Sequence, residues 1–399
     1  MGPASAQKLV PVRSESLQPG MYVAELDRSW LHSPFPGTGL LITSAAQIEQ
    51  LRQICRYVYV DLDRSDVGLE PTDLAAHEPV SAASAPASGP AESTRRLLEH
   101  IIEDITVMVR GARRQGIVDL EAVGRCAGRI ADQVRRDADA LHWCLRVESH
   151  GSYLYRRAAG TAAVAATFGQ HLGFDRDLLV ALASGGLLLD LGKVAVPVPI
   201  LAKPGRLDLP EQCYVRRHVE RGMELVASHD VPARALEMIA AHHERIDGTG
   251  YPHQLSGTRI PLFGRIAAIA DAFDAMTLDR RYAAALSPHA ALRQIEAQRD
   301  HKFDAALVTE MTHALGLYPV GSLVELTDGR LGLVCAQRPR HPLQPLVLIT
   351  HDGGRQPLAE PALVSGRAAR ILGALPPQAV ALDMVRLESA LQDLHLFAP

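Results

Sequence analysis

The segment "HHERIDGTGYP", residues 242 to 252, sets His242 and His243 side by side ahead of a glycine turn that closes on Tyr251 and Pro252. Imidazoles at this density raise the question of a metal, and further donors stand in separate apolar segments. Asp190 and Lys193 lie in "LLLDLGKVAVP", His218 in "VRRHVERG" and Asp271 in "AAIADAFDAMT". Carboxylates with imidazoles suit iron, manganese or zinc, and one carboxylate can bridge two ions. Taken singly, each of these residues is an ordinary solvated or core polar group. Adjacent side chains on an ideal helix also diverge by about 100°, so the histidine pair does not by itself hold one ion.

The elements that must bring these residues together read as helices. "RRLLEHIIEDITVMVRGARRQG" spaces Leu97, Leu98, Ile101, Ile102, Ile105 and Met108 at near-helical intervals, and similar patterns continue to about residue 316. Upstream, residues 8 to 65 combine the β-rich runs "MYVAEL" and "RYVYVDL" with the helix-like "AAQIEQLRQI". Between the two, an Ala-, Ser-, Pro- and Gly-rich stretch has almost no large apolar side chains to bury. Downstream, "YPVGSLVELTDGRLGLVCAQ" flanks Asp328-Gly329, a dipeptide favoured in tight hairpins, and "PPQAVALDMVRLESALQDLHLF" reads as a terminal helix opened by prolines. The expected fold is mainly α: a small α+β domain over 1–65, a flexible linker over 66–95, an all-helical domain over 96–316, and a β-rich appendix with a final helix over 317–399.

Composition narrows the function classes. The 399 residues, 47% hydrophobic and 22% charged, suffice for a full core. A formal net charge of −4 gives no electrostatic footprint for bulk nucleic acid. Five cysteines without CxxC spacing suit a reducing compartment. No apolar signal core opens the chain, and no unbroken apolar stretch of roughly 18 residues offers a membrane span, so a cytoplasmic location is expected.

The motifs together resemble the HD-GYP family of cyclic di-GMP phosphodiesterases, a branch of the HD superfamily of metal-dependent phosphohydrolases. "HHERIDGTGYP" reproduces the family signature HHExxDGxGYP, "FGRIAAIADAFDAMTLDRRY" is similar to its arginine-and-aspartate segment, and "LDLGKVAVPVPILAKPGRL" looks like its HD segment. The resemblance covers residues 96 to 316, and residues 8 to 65 look like the small domain that often precedes this family. It implies an all-helical core whose Asp190, Lys193, His218, His242, His243 and Asp271 match the family pattern: Asp190, His218, His242, His243 and Asp271 as ligands, Asp190 and Lys193 as catalytic groups. It further implies that Lys193, Arg265, Gly248, Gly250, Tyr251 and Pro252 shape the ligand groove, with cyclic di-GMP as ligand and a diguanylate cyclase-type protein as a partner docking on the GYP turn. Alternatives stay open for three of these features: Lys193 as a structural ion pair with Asp190, Arg265 as a surface arginine, and the glycines as a turn at positive φ.

Three departures from the family stand out. Leu189 occupies the place of the histidine that names the HD motif, in register with Gly192 and Lys193, while Tyr153 and Arg157 stand where the family carries a Glu and a His four residues apart. Leucine has no lone pair to give, and arginine is effectively always protonated. The remaining residues suffice for at most one transition metal ion, whereas in-line attack on a phosphodiester is served by two. Weak or absent hydrolysis with a binding role is therefore expected; the alternative is an active phosphodiesterase with a reduced metal site. Asp190 and Asp271 would repel in a shared buried pocket, so Arg157 is expected to stand in for the lost ion as a fixed countercharge, unless it points to solvent.

Overall fold

The computed structural model describes residues 9–26, 33–35, 39–55, 57–61, 64–67, 90–147, 153–203, 205–278, 285–338, 344–365 and 370–393. The chain divides into two compact units, Met1–Ser84 and Ala85–Pro399. In the first, strands β1 (Leu9–Arg13), β2 (Tyr22–Leu26), β3 (Leu40–Leu41) and β4 (Tyr57–Asp61) form an antiparallel sheet in the order β1-β4-β2-β3, with helix α1 (Ala45–Ile54). Alternation in β4 buries Val58 and Val60 beside Val12, Val23 and Leu51. A reciprocal capping box, in which Ser44 accepts from Gln47 N–H and Gln47 accepts from Ser44 N–H, starts α1.

In the second unit, helices α2 (Pro90–Gln115), α3 (Leu120–Val147), α4 (Tyr153–His171) and α5 (Arg176–Leu188) build the centre of the core. Around them lie α6 (Val198–Leu201), α7 (Leu209–Arg216), α8 (His218–Val226), α9 (Ala233–Ala241), α10 (Leu262–Thr277), α11 (Pro288–Glu296) and α12 (Ala305–Leu315). Small residues on α4, including Ala158, Ala159, Ala162, Ala163 and Ala166, are all buried. A Cβ on Gly186 would meet the Ala162 backbone at 2.5 Å, so glycine permits the close approach of α5 to α4. The segment Arg176–Ala195 is long and apolar enough to cross a membrane by length and composition, though Arg176, Asp177, Asp190 and Lys193 interrupt it, and 72% of its apolar window is buried inside the fold.

Strands β5 (Leu323–Leu326), β6 (Leu331–Ala336), β7 (Leu346–His351), β8 (Pro357–Val364) and β9 (Ile371–Ala374) form a second antiparallel sheet, ordered β8-β7-β6-β5-β9. Gly329 turns the β5–β6 hairpin at φ +84°. The sheet shares its core with α3, where Trp143 packs among Leu323, Leu333 and Leu348, and Asp139 Oδ2 accepts the Gln337 N–H at 2.6 Å.

Two boundaries differ from the sequence reading. Helix α2 begins at Pro90, inside the expected linker, because proline is tolerated in a first helical turn; residues 68–89 of that linker lie outside the described residues. The terminal helix α13 (Met384–Asp393) starts seven residues after Pro377, with Asp383 capping the N–H of Arg386, whereas the prolines open only a short 3-10 turn, Pro377–Ala379.

Candidate functional site

Helix α5 ends at Leu188, and buried Leu189 caps it before the chain turns through Asp190, at φ −99° and ψ 4°, into the 3-10 helix Leu191–Ala195. Such bridge-region dihedrals are sparsely allowed and common at functional sites. A Cβ on Gly192 would stand 2.0 Å from the His218 carbonyl oxygen and 2.5 Å from Gly222 N. Only glycine lets this turn lie against α8, and that contact brings Asp190 to His218. Helix α9 ends one residue before His242, delivering His242 and His243 to the same pocket. One donor atom from each of Asp190, His218, His242 and His243 lies within 4.8 Å of all the others.

The hydrogen bonds around this cluster fix its polarity. His218 Nδ1 lies 2.7 Å from the Val215 carbonyl and His242 Nδ1 lies 3.0 Å from the Ile239 carbonyl. A carbonyl only accepts, so both Nδ1 atoms carry the proton and both Nε2 atoms present lone pairs. Those two Nε2 atoms face each other at 3.2 Å, and Asp190 Oδ1 stands 3.4 Å from one and 4.0 Å from the other. Asp190 Oδ1 is buried with no hydrogen-bond partner. Three acceptors thus converge with no proton between them, the electrostatic signature of a cation seat whose ligands are oriented by backbone carbonyls. The donor set fits one iron, manganese or zinc ion.

Charge states agree with that seat. Burial pushes His218 down to about 4 against the opposing pull of Asp190, and burial likewise lowers His242. His243 is held well below the ordinary range by burial and by the neighbouring His242 and His218. Burial would raise Asp190, but Lys193, His218, Arg157 and His242 together hold its carboxyl well below the usual carboxylate range. Neutral imidazoles beside an ionised carboxylate are the ligand forms a metal requires. Lys193 donates to Asp190 Oδ2 at 2.7 Å, and a cleft lined by Val196, Tyr214, Arg217 and Arg221 opens beside His218.

Asp271 stands outside this four-residue cluster, although the sequence groups it with the ligands. The reason is Arg157, which is 4% exposed and bonds Asp271 Oδ1 through Nη2 and the Asp271 carbonyl through Nη1 at 3.2 Å. The same Nη1 bonds Asp274 Oδ2 at 2.5 Å, while Nη2 stands 3.8 Å from Asp190 Oδ2. Arg157 therefore faces the pocket, and its guanidinium lies among three carboxylates. Thr161 adds a hydroxyl donor to Asp274 at 3.3 Å. Gly160 makes room for that aspartate, since a Cβ there would meet Asp274 Oδ1 at 2.0 Å.

The GYP turn is held by its own glutamate. Glu244, 1% exposed, accepts the N–H of His253 at 2.7 Å and of Leu255 at 3.0 Å. Gly250 packs against the backbone of Glu244 and Arg245 where a Cβ would clash at 2.5 Å, and Gly248 adopts φ +78°. The Tyr251–Pro252 peptide is cis, and the Tyr251 ring stacks on His243 with centroids 4.5 Å apart. Arg265 donates to Asp304 at 2.6 Å. Tyr153 opens α4. Sequence reasoning missed Asp274 and the role of Glu244. The available signals were the three-residue spacing from Asp271 to Asp274, which places both on one helical face, and the position of Glu244 inside the signature itself.

Comparison with known proteins places this geometry. The HD domain family matches residues 146–307, and a domain of unknown function (DUF3391) matches residues 9–123. A cyclic di-GMP phosphodiesterase of Pseudomonas aeruginosa is 34% identical over 393 residues, covering 93% of each chain. A cyclic di-GMP phosphodiesterase response regulator of Xanthomonas campestris is 38% identical over 38% of this chain and 43% of its own. A 3'3'-cGAMP-specific phosphodiesterase of Vibrio cholerae is 42% identical over 30% of this chain and 24% of its own. With near full-length similarity to the Pseudomonas enzyme and its own HHExxDGxGYP signature folded around a metal-ready cluster, the chain belongs to the HD-GYP family of HD-domain phosphohydrolases.

Proposed function

We propose that this chain is a cyclic di-GMP signalling protein whose HD-GYP domain holds one ion on Asp190, His218, His242 and His243 and binds its dinucleotide with weak or no hydrolysis. The observation that carries this reading is the guanidinium of Arg157 set between Asp271 and Asp274, where a further cation would otherwise be needed to neutralise them. An ion on the four-residue cluster would polarise a phosphoryl oxygen. Arg157 neutralises carboxylates but binds no water as a metal does, so it generates no hydroxide. Lys193 Nζ, half-buried beside Asp190, and the cleft carrying Arg217 and Arg221 supply positive charge for a phosphodiester. The turn over Gly248 to Pro252, pinned by Glu244, supplies a fixed surface for a diguanylate cyclase-type partner.

The test uses the full chain purified with iron or manganese present. Calorimetry measures binding of cyclic di-GMP and, in a parallel arm, 3'3'-cGAMP, while chromatography follows linear dinucleotide and GMP. Binding with little or no product is expected, with at most one tightly held ion at the Asp190 cluster. Rapid production of linear dinucleotide refutes the reading in favour of an active phosphodiesterase with a reduced site, for which the intact four-donor cluster and the name of the Pseudomonas relative speak. No binding at high micromolar dinucleotide leaves the partner-docking role.

A further inference from the structure

We propose that His171, Glu310 and His313 form a second metal site, separate from the Asp190 cluster, which takes a zinc-type divalent ion and ties the end of α4 to α12. Arg157 and His171 lie on the same helix, fourteen residues apart, which at 1.5 Å per residue is about 21 Å. The two candidate centres are thus at opposite ends of α4.

On α12, Glu310 and His313 are three residues apart and share one face. That face meets His171, the last residue of α4. Glu310 Oε2 stands 2.9 Å from His171 Nε2 and 3.8 Å from His313 Nδ1, and the three donor atoms all lie within 4.8 Å of one another. Ligands on a tetrahedral zinc, with bonds of about 2.0–2.1 Å, stand roughly 3.4 Å apart. The observed separations bracket that value, so small rotations of the imidazoles complete the geometry. Two imidazoles and one carboxylate are a known zinc set that leaves a fourth position for water.

Burial is graded in the way an ion site needs. The Glu310 side chain is 1% exposed, while His313 and His171 are 15% and 21% exposed. The carboxylate sits at the floor and the two imidazoles at the rim, open to an ion arriving from solvent. The competing account is a plain hydrogen bond between His171 and Glu310 with His313 as a helical neighbour. That account needs one imidazole near the carboxylate, whereas nitrogens of two imidazoles stand 2.9 and 3.8 Å from the same oxygen.

The experiment strips the full chain with a chelator and titrates it with zinc alone, counting bound ions after desalting and recording the melting temperature. Wild type, His171→Ala, His313→Ala and His218→Ala are compared; the last removes a donor from the Asp190 cluster and leaves this site untouched. Each of the first two variants is expected to bind one ion fewer than wild type. In His218→Ala a zinc-induced rise in melting temperature persists, and with cobalt in place of zinc its visible absorption persists too. The inference is overturned if His171→Ala and His313→Ala keep the wild-type count and thermal shift, or if His218→Ala abolishes all zinc binding. Because His313 lies at the rim, its variant keeps the test alive should His171→Ala fail to fold. Dinucleotide binding does not enter the readout, so this result stands apart from the fate of the proposed function.

Discussion

Arg157→Ala tests the central electrostatic reasoning. The arginine side chain is 4% exposed and the two aspartates it bonds are each 8% exposed. Removing it leaves Asp271 and Asp274 buried together without their countercharge. Breaking a buried pair by deleting one partner costs about 3–5 kcal/mol, most of it the stranded charge. With a urea m-value of about 2–3 kcal/mol/M, the unfolding midpoint of the helical unit should fall by about 1–2 M at pH 8. The pH dependence carries the signature. Burial already raises Asp274 to about 6 against the pull of Arg157, so stability from this carboxyl is present below its unfolded value and is lost as pH rises through about 6. Without Arg157 that folded value climbs further, and the deficit of the variant should shrink between pH 8 and pH 5 as the carboxyl takes up a proton. Arg157→Met combined with Asp271→Asn and Asp274→Asn should recover most of the midpoint, since neither of these carboxylates remains to strand and Asp190 keeps its 2.7 Å bond from Lys193. An unchanged midpoint at pH 8, or a deficit that the triple variant does not repair, would refute the reasoning.

Further tests address the positioning of the site. Gly192→Ala drives a Cβ into the His218 carbonyl and Gly222 N, neither of which yields easily, so a loss of about 1–3 kcal/mol with weakened metal binding is expected by urea denaturation and metal titration; wild-type affinity in a stable variant would contradict the placement of Asp190. Glu244→Ala removes the acceptor for His253 and Leu255, and hydrogen exchange should accelerate at those two amides while α9 stays protected; uniform protection would mean the turn is held otherwise. Asp139 is raised to about 6 by burial despite its bond from Gln337, so its contribution to stability falls as pH rises from about 4 through 6. Asp139→Asn should flatten that decline, by at most about 3 kcal/mol, in chemical denaturation measured across the window, and an unaltered pH profile would count against it.

The four-donor cluster was legible because each donor sits in a short motif with its own register: Asp190 through Gly192 and Lys193, His242 and His243 through the glycine turn. The family resemblance supplied what spacing lacks, namely that Asp190 and His243, from segments about fifty residues apart, meet. It also flagged Arg157 and Leu189 as substitutions, from which the need for a countercharge follows by electrostatics alone. Asp271 shows the limit. Its type fits a ligand, but whether its oxygen goes to an ion or to a guanidinium depends on a contact 114 residues away. Asp274 escaped for the same reason, since nothing in "DAFDAMT" tells which aspartate meets Arg157 first. The kink in α3 at Asp137, φ −160° and ψ 93°, was equally hidden, because the apolar spacing runs through it unbroken. His171 and Glu310, 139 residues apart, have no local pattern joining them.

A metal ion exchanges with its surroundings; an arginine is part of the chain. In this pocket one positive charge comes from Arg157, so it is present from synthesis onward and cannot be chelated, oxidised or replaced by a competing element. The aspartates it serves keep their arrangement whether iron is abundant or scarce. A domain built this way separates the charge balance of Asp271 and Asp274 from the supply of any exchangeable ion.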